Sequence, residues 1–236
     1  MQEAEHGENI AAMFNRISRR YDLLNRLLSG FQDMRWRRRA VKMMGDLKYK
    51  TALDLCCGTG DFLHIFRKYW KNDINLIGID FAAEMVRLGH RRFEQQSDSK
   101  ILLMQGDALS LPLVSNSIAA VTIGFGIRNI KDRPTALKEI LRVLDHGGRL
   151  AIIEPAIPKN PLIGIPFTFY FKYIMPLIGG LLSGNYKAYK YLDDSVLAFP
   201  PPDKFVALME KCGFTNCRKY PQFLGMAMIY YGEKTA

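Results

Sequence analysis

Cysteine is scarce in this chain. The four present are Cys56, Cys57, Cys212 and Cys217, two of them adjacent, and no Cys-x-x-Cys occurs. That excludes a disulfide framework and a cysteine-based zinc site, and predicts buried, reduced thiols. Histidine is equally sparse: His6, His64, His90 and His146 are scattered without ligand spacing, so no metal site is expected. No internal repeat or low-complexity tract occurs. The opening stretch MQEAEHGENI is acidic and polar with no apolar run, so no signal peptide is expected. A long uninterrupted hydrophobic run is missing too. The best approach to one, Pro161 to Leu182, is broken by three prolines and Lys172, whereas a spanning helix needs about 20 mostly apolar residues. No Asn-Pro-Pro-aromatic motif occurs.

What is present is ordinary globular material, 236 residues with 48% hydrophobic and 24% charged, enough for one α/β domain with additions. The formal net charge is +10, and it is concentrated. Between Met13 and Lys42, nine Lys and Arg face only Asp22 and Asp33. Such a block favours anionic partners or forms a solvated helix face. Apolar residues at Met13, Phe14, Ile17, Tyr21, Leu24, Leu27 and Leu28 recur at helical spacing. A break is expected at Ser29-Gly30, then a second basic helix around Trp36.

From Thr51 the pattern changes to short apolar runs alternating with amphipathic stretches. The runs are 51–56, 75–80, 101–105, 118–124 and 149–154; the stretches are 61–70, 82–96 and 133–144. Strands alternating with helices predict a doubly wound parallel sheet. His146-Gly147-Gly148 supplies a turn before the fifth strand. Residues 155–202 depart from the alternation and are rich in proline and aromatics. Residues 203–212 predict a helix, and 214–219 and 225–232 a closing antiparallel pair. A single domain follows, with a basic helical cap over 1–50, a cofactor-binding core over 51–154, an apolar acceptor insertion over 155–202, and a C-terminal helix with strands over 203–236.

The chemistry-bearing residues sit where strands end. The first strand runs into Asp54-Leu55-Cys56-Cys57-Gly58-Thr59-Gly60, and a tight glycine turn there lets a ligand approach the backbone. Asp80 ends the second strand, 22 residues after Gly58, placed to accept from ribose hydroxyls. Asp107-Ala108 follows the third strand, beside the position for an adenine edge. A dinucleotide site wants a third glycine where this chain has Leu63, which points instead to a cofactor without a pyrophosphate. The fourth strand ends in Gly124-Phe125-Gly126-Ile127-Arg128-Asn129, where an arginine and an amide can stabilise an oxyanion.

These residues resemble the class I adenosylmethionine-dependent methyltransferases, with their D-x-G-x-G-x-G pattern. Cys56 replaces the first glycine, which the turn tolerates if that residue keeps a negative φ. The resemblance implies S-adenosyl-L-methionine as cofactor and a Rossmann-like seven-stranded sheet, mostly parallel with an antiparallel terminal hairpin, flanked by helices. It implies Asp54 near the methionine end, with Gly58, Thr59 and Gly60 in the turn. Asp80 falls on the ribose, and Asp107 and Ala108 near adenine.

A finer resemblance follows. Phe125 to Asn129 matches the F-G-[LI]-R-N signature of the ubiquinone/menaquinone biosynthesis C-methyltransferases. So do Arg20-Tyr21-Asp22-Leu23-Leu24-Asn25, Trp36-Arg37-Arg38, and the Y-x-Y-L-x-x-S segment Tyr189 to Ser195. It implies C-methylation of a polyprenylated quinol ring, foremost demethylmenaquinol to menaquinol. Arg128 and Asn129 would hold the ring oxyanion and Tyr21 would bond the other ring oxygen. Glu154 at the end of the fifth strand, or a water, would be the base. An apolar face through Ile163, Phe167, Tyr170, Ile174, Leu177 and Leu181 would carry the tail or rest on the bilayer. The expected partners are the quinol and an anionic membrane surface on the cytoplasmic side, with a homodimer allowed for and no nucleic acid. Methylation of another small-molecule or lipid acceptor, of nucleic acid, or a cofactor-binding regulator without turnover are the competing readings.

Overall fold

The computed structural model describes residues 10, 12–13, 15, 26, 29–48, 50–71, 73–94, 100–174 and 186–235, without the side chains of 171, 186–189 and 192. Tyr21, the rest of its motif, and Leu177 and Leu181 lie outside the described residues.

The apolar runs become strands because those in the middle of the sheet are buried on both faces, while the run at the edge, 101–105, leaves Leu102 exposed. They are β1 (Thr51–Leu55), β2 (Asn75–Asp80), β3 (Ile101–Gln105), β4 (Ile118–Gly124) and β5 (Leu144–Pro155). Helices α1 (Asp33–Met43), α2 (Asp61–Trp70), α3 (Ala83–Glu94) and α4 (Arg133–Val143) alternate with them. Beyond β5 come α5 (Pro161–Phe169), which runs into a π turn at Tyr170–Ile174, then α6 (Tyr186–Leu197) and α7 (Pro202–Lys211). Two further strands close the sheet, β6 (Thr215–Gln222) and β7 (Ala227–Glu233). The order across the sheet is β3-β2-β1-β4-β5-β7-β6, with β1 to β5 parallel and β7 antiparallel to both neighbours.

Period-two alternation splits each strand between two cores. Leu53, Leu55, Val121, Ile123, Leu150 and Ile152 face α4 and α7, where Leu137, Ile140, Phe205 and Met209 meet them. Ala52, Leu76, Ala120, Ala151 and Ile153 face the other way, onto Trp36, Ala40 and Val41 of α1, onto Met44 just after it, and onto Phe62 and Phe66 of α2. Each fully buried side chain of this size contributes about 1.5–3 kcal/mol.

Two expectations need correcting. The fifth strand starts at Leu144, not at residue 149, so His146-Gly147-Gly148 lies inside it. Gly147 takes φ = +70° and donates to the Lys234 carbonyl at 3.1 Å, so the glycine pair makes an irregularity in a ladder. The basic block is not one solvated face. Arg35, Arg38, Arg39 and Lys42 are exposed, but Arg37 is buried and Arg26 is half-buried.

Candidate active site

The strand order reverses between β1 and β4, and the crevice above their carboxyl ends is where open α/β sheets bind ligands. β1 enters the glycine turn there. Gly60 needs its left-handed φ of +87°, and a Cβ on it would lie 2.6 Å from Phe93 Cε2. Gly58, at φ = +55°, has no described atom within 4 Å of where a Cβ would be, which leaves its backbone open to a ligand. Cys56 does not keep a negative φ. It sits at +56°, in the region a glycine would occupy without strain, packed against Gly126.

Asp80 locks this turn to the end of β2. Its carboxylate accepts from the Gly58 N–H and the Ala82 N–H, each at 2.8 Å. Burial raises its pKa, and those backbone bonds oppose the rise. With a third backbone bond from Phe81, the carboxylate still has acceptor capacity that a ligand hydroxyl can use. One strand further, Asp107 is exposed and accepts from the Leu109 N–H at 2.9 Å, capping its own turn, while Ala108 packs into the core.

Asp54 is buried on β1 and accepts from Thr122 Oγ1 of β4 at 3.0 Å. Burial pushes its carboxyl well up, against the pull of Arg37. Asp61, the first residue of α2, behaves oppositely. Burial would raise it, but Arg37, Arg26 and Arg92 outweigh that and hold it below the usual carboxylate range. Arg26 Nη2 donates to both Asp61 oxygens at 2.9 Å, its Nη1 pairs with Asp33, and Arg92 reaches Asp61 at 3.1 Å.

β4 ends in a strained turn. Phe125 holds φ = +62° and donates its N–H to the Ile153 carbonyl at 2.8 Å. Arg128 follows in a 3-10 turn, 6% exposed. Its backbone N–H donates to Glu154 Oε1 at 3.2 Å and its Nη1 to Glu154 Oε2 at 2.9 Å. Nε donates to Ser195 Oγ at 3.3 Å, and Nη1 also reaches the Phe125 carbonyl. Glu154 is 0% exposed and each of its oxygens accepts from Arg128, so it does not stand open beside the crevice as the sequence expectation of a base requires. Burial raises its pKa and the adjacent Arg128 opposes this.

Asn129 is half-buried, and its Oδ1 accepts from the Tyr191 hydroxyl at 3.3 Å. Tyr191 and Ser195 are four residues apart on α6, hence on one face, and they grip Asn129 and Arg128 respectively. Sequence reasoning quoted their segment and gave neither a role; the i, i+4 spacing was the available signal. Thr122 was also missed, although it is the polar residue in the apolar run of β4.

A sheet of this order, with a glycine turn and the acids of β1 and β2 at its switch point, defines a class I S-adenosylmethionine-dependent methyltransferase. A methyltransferase of that class from Aquifex aeolicus has the same fold, with a TM-score of 0.59 at 16% identity over 84% of this chain and 88% of that one. The chain belongs to the ubiE/COQ5 methyltransferase family, whose model matches residues 1–234. It is 42% identical over 231 residues to a ubiquinone/menaquinone biosynthesis C-methyltransferase from Geotalea daltonii, covering 98% of both chains. It is 42% identical over 222 residues to a demethylmenaquinone methyltransferase from Thermus thermophilus, covering 94% of this chain and all of that one.

Proposed function

We propose that this enzyme methylates a ring carbon of a polyprenylated quinol, converting demethylmenaquinol to menaquinol. The observation that carries the reading is the Arg128-Asn129 turn at the carboxyl end of β4, braced by Glu154 and by Tyr191 and Ser195 of α6. Curated relatives bearing quinone-methyltransferase names match over nearly the whole chain.

S-Adenosylmethionine supplies a methyl group on a sulfonium, ready for in-line transfer. Asp80 binds the ribose with its remaining lone pairs, the Gly58–Gly60 turn gives close approach, and Asp54 meets the methionine end. Asp107 and Ala108 border the adenine. A phenolic oxygen losing its proton makes the neighbouring ring carbon nucleophilic. Asn129 faces that oxygen with its amide nitrogen, because its carbonyl is turned to Tyr191. Arg128 adds its charge from below, held in register by Glu154. Tyr21 takes the other ring oxygen. With Glu154 paired, a water is the proton acceptor. Holding the ring carbon in line is worth up to ~7–11 kcal/mol.

The apolar insertion supports a membrane-facing role. Among the described residues no helix is long and apolar enough to cross a membrane. Yet Leu162 is 84% exposed, Ile165 70% and Phe169 57%, beside an open groove of about 490 Å³ lined by Ile157, Pro158, Pro161 and Tyr173. Phe223 and Leu224 extend this surface from the β6–β7 turn, which abuts Pro158. Such a face rests at a lipid interface, where the quinol tail already lies. The exposed arginines of α1 suit anionic headgroups.

The test is a mass-spectrometric assay of purified protein with S-adenosylmethionine and a mixture of reduced demethylmenaquinol and demethylated benzoquinol in micelles. One methyl gained on a ring carbon supports the reading, and the preferred quinol sets the pathway. Cofactor binding without methylation of either quinol overturns it in favour of another acceptor.

A further inference from the structure

Arg37 is a buried cation with unused donors. It is 6% exposed, and among the described residues both Nε and Nη1 lack a hydrogen-bond partner. Among the described residues its ion-pair partner is Asp61, whose Oδ2 lies 3.9 Å from Nε, beyond hydrogen-bond reach. A buried guanidinium left this way is costly, and native structures rarely tolerate it without a reason.

Its setting is a built one. The guanidinium carbon lies 5.2 Å from the ring centroid of Phe62 and 5.0 Å from that of Phe125, so two aromatic rings hold it. Gly124, at the end of β4, makes room: a Cβ there would come within 3.2 Å of Nη1. Asp61 takes its hydrogen bonds from Arg26 and Arg92, so Arg37 acts on it only through space and its own donors stay unbonded. The charge of Arg37 also acts on Asp54, at the end of β1.

We propose that Arg37 is the clamp for the α-carboxylate of the bound cofactor, with Asp54 facing the ammonium of the same amino-acid end. The inference rests on the cofactor reading given above and adds the residue that recognises the carboxylate. A planar guanidinium matches a carboxylate with paired N–H donors, which a lysine ammonium does not reproduce. The two side chains together form a zwitterion receptor at the β1–β4 switch point. The anion satisfies the orphaned donors, so ligand binding removes a penalty that the unliganded protein carries.

The experiment is calorimetric binding of three ligands to the full chain and to Arg37→Gln. The ligands are S-adenosylhomocysteine, its decarboxylated counterpart S-adenosyl-3-thiopropylamine, and 5′-methylthioadenosine. A charge-assisted hydrogen bond of this kind is worth roughly one to two decades in affinity. The native chain should therefore bind S-adenosylhomocysteine about 10- to 100-fold more tightly than the decarboxylated ligand. Arg37→Gln should abolish that preference while binding methylthioadenosine as the native chain does. Arg37→Lys should keep only part of the preference, and it serves if the glutamine variant does not fold. No preference in the native chain, or a preference that survives in the variants, overturns the clamp. If the native chain binds none of the three ligands, the cofactor reading itself falls, and the clamp with it.

Discussion

Arg128 and Glu154 close a buried salt bridge of 2.9 Å in which the Glu154 side chain is fully covered and that of Arg128 is 4% exposed. Removing one partner of a buried pair strands the other charge, which costs about 3–5 kcal/mol, whereas replacing both by apolar groups is often neutral. Glu154→Leu should therefore lower stability to urea by about that amount. The double variant Glu154→Leu/Arg128→Met should recover most of it and still lack methyl transfer. A double variant that is both stable and active would reduce the pair to a structural role.

Asp54 makes stability depend on pH in a definite direction. Its pKa in the folded protein lies well above the ordinary 3.8, through burial. The folded state therefore holds the proton more tightly than the unfolded chain does. Stability falls as pH rises from about 4 through the folded-state pKa. Asp54→Asn cannot ionise, so native and variant should have similar melting temperatures near pH 4 once other titrations are matched. The variant should become the more stable of the two toward neutrality. A difference that stays constant across that range would remove Asp54 as its source.

Cys56 stands at φ = +56° where the D-x-G-x-G-x-G pattern of class I methyltransferases has glycine. The left-handed region costs a non-glycine residue roughly 1–2 kcal/mol. Cys56→Gly should relieve this while losing the contacts of one small, half-buried thiol, leaving stability level or slightly higher. Cys56→Val adds a branched Cβ against Gly126 and should be about 2 kcal/mol less stable than the glycine variant. Denaturant midpoints decide it, and equal midpoints for valine and glycine would contradict the strain.

The outward face of α5 can be changed without touching the core. Ile165→Glu/Phe169→Glu should stay within about 0.5 kcal/mol of the native stability, as surface substitutions do. Flotation with vesicles containing anionic lipid should nevertheless drop severalfold. Unchanged flotation would place the membrane contact elsewhere on the molecule.

The strands were readable because a parallel sheet buries both faces, so Asn75–Asp80 and Ile118–Gly124 stand in the sequence as bounded apolar runs. The beginning of β5 was not, because Gly147-Gly148 signals a turn locally. What overrides it is the hydrogen bonding to Lys234, on a segment remote in the chain. Arg37 was hidden for a different reason. In one dimension it is one more arginine in a basic block. Helical phase tells otherwise: residues three, four and seven positions on are Ala40, Val41 and Met44, all buried, so Arg37 lies on the apolar stripe. The Glu154 position was legible as the end of a strand, but the partner that consumes its carboxylate comes from another strand's turn.

The position of β7 has a consequence for how the chain reaches its native state. β7 lies between β5 and β6, although both precede it in the sequence. During synthesis β6 therefore emerges with no neighbour to pair with, and the edge of β5 stands open until Ala227–Glu233 arrives. Contacts such as Ile152 with Tyr230 close a loop of long sequence separation, and such closures are slow. The nascent chain thus passes through a stage with two exposed strand edges, the form most exposed to aggregation and to chaperone capture.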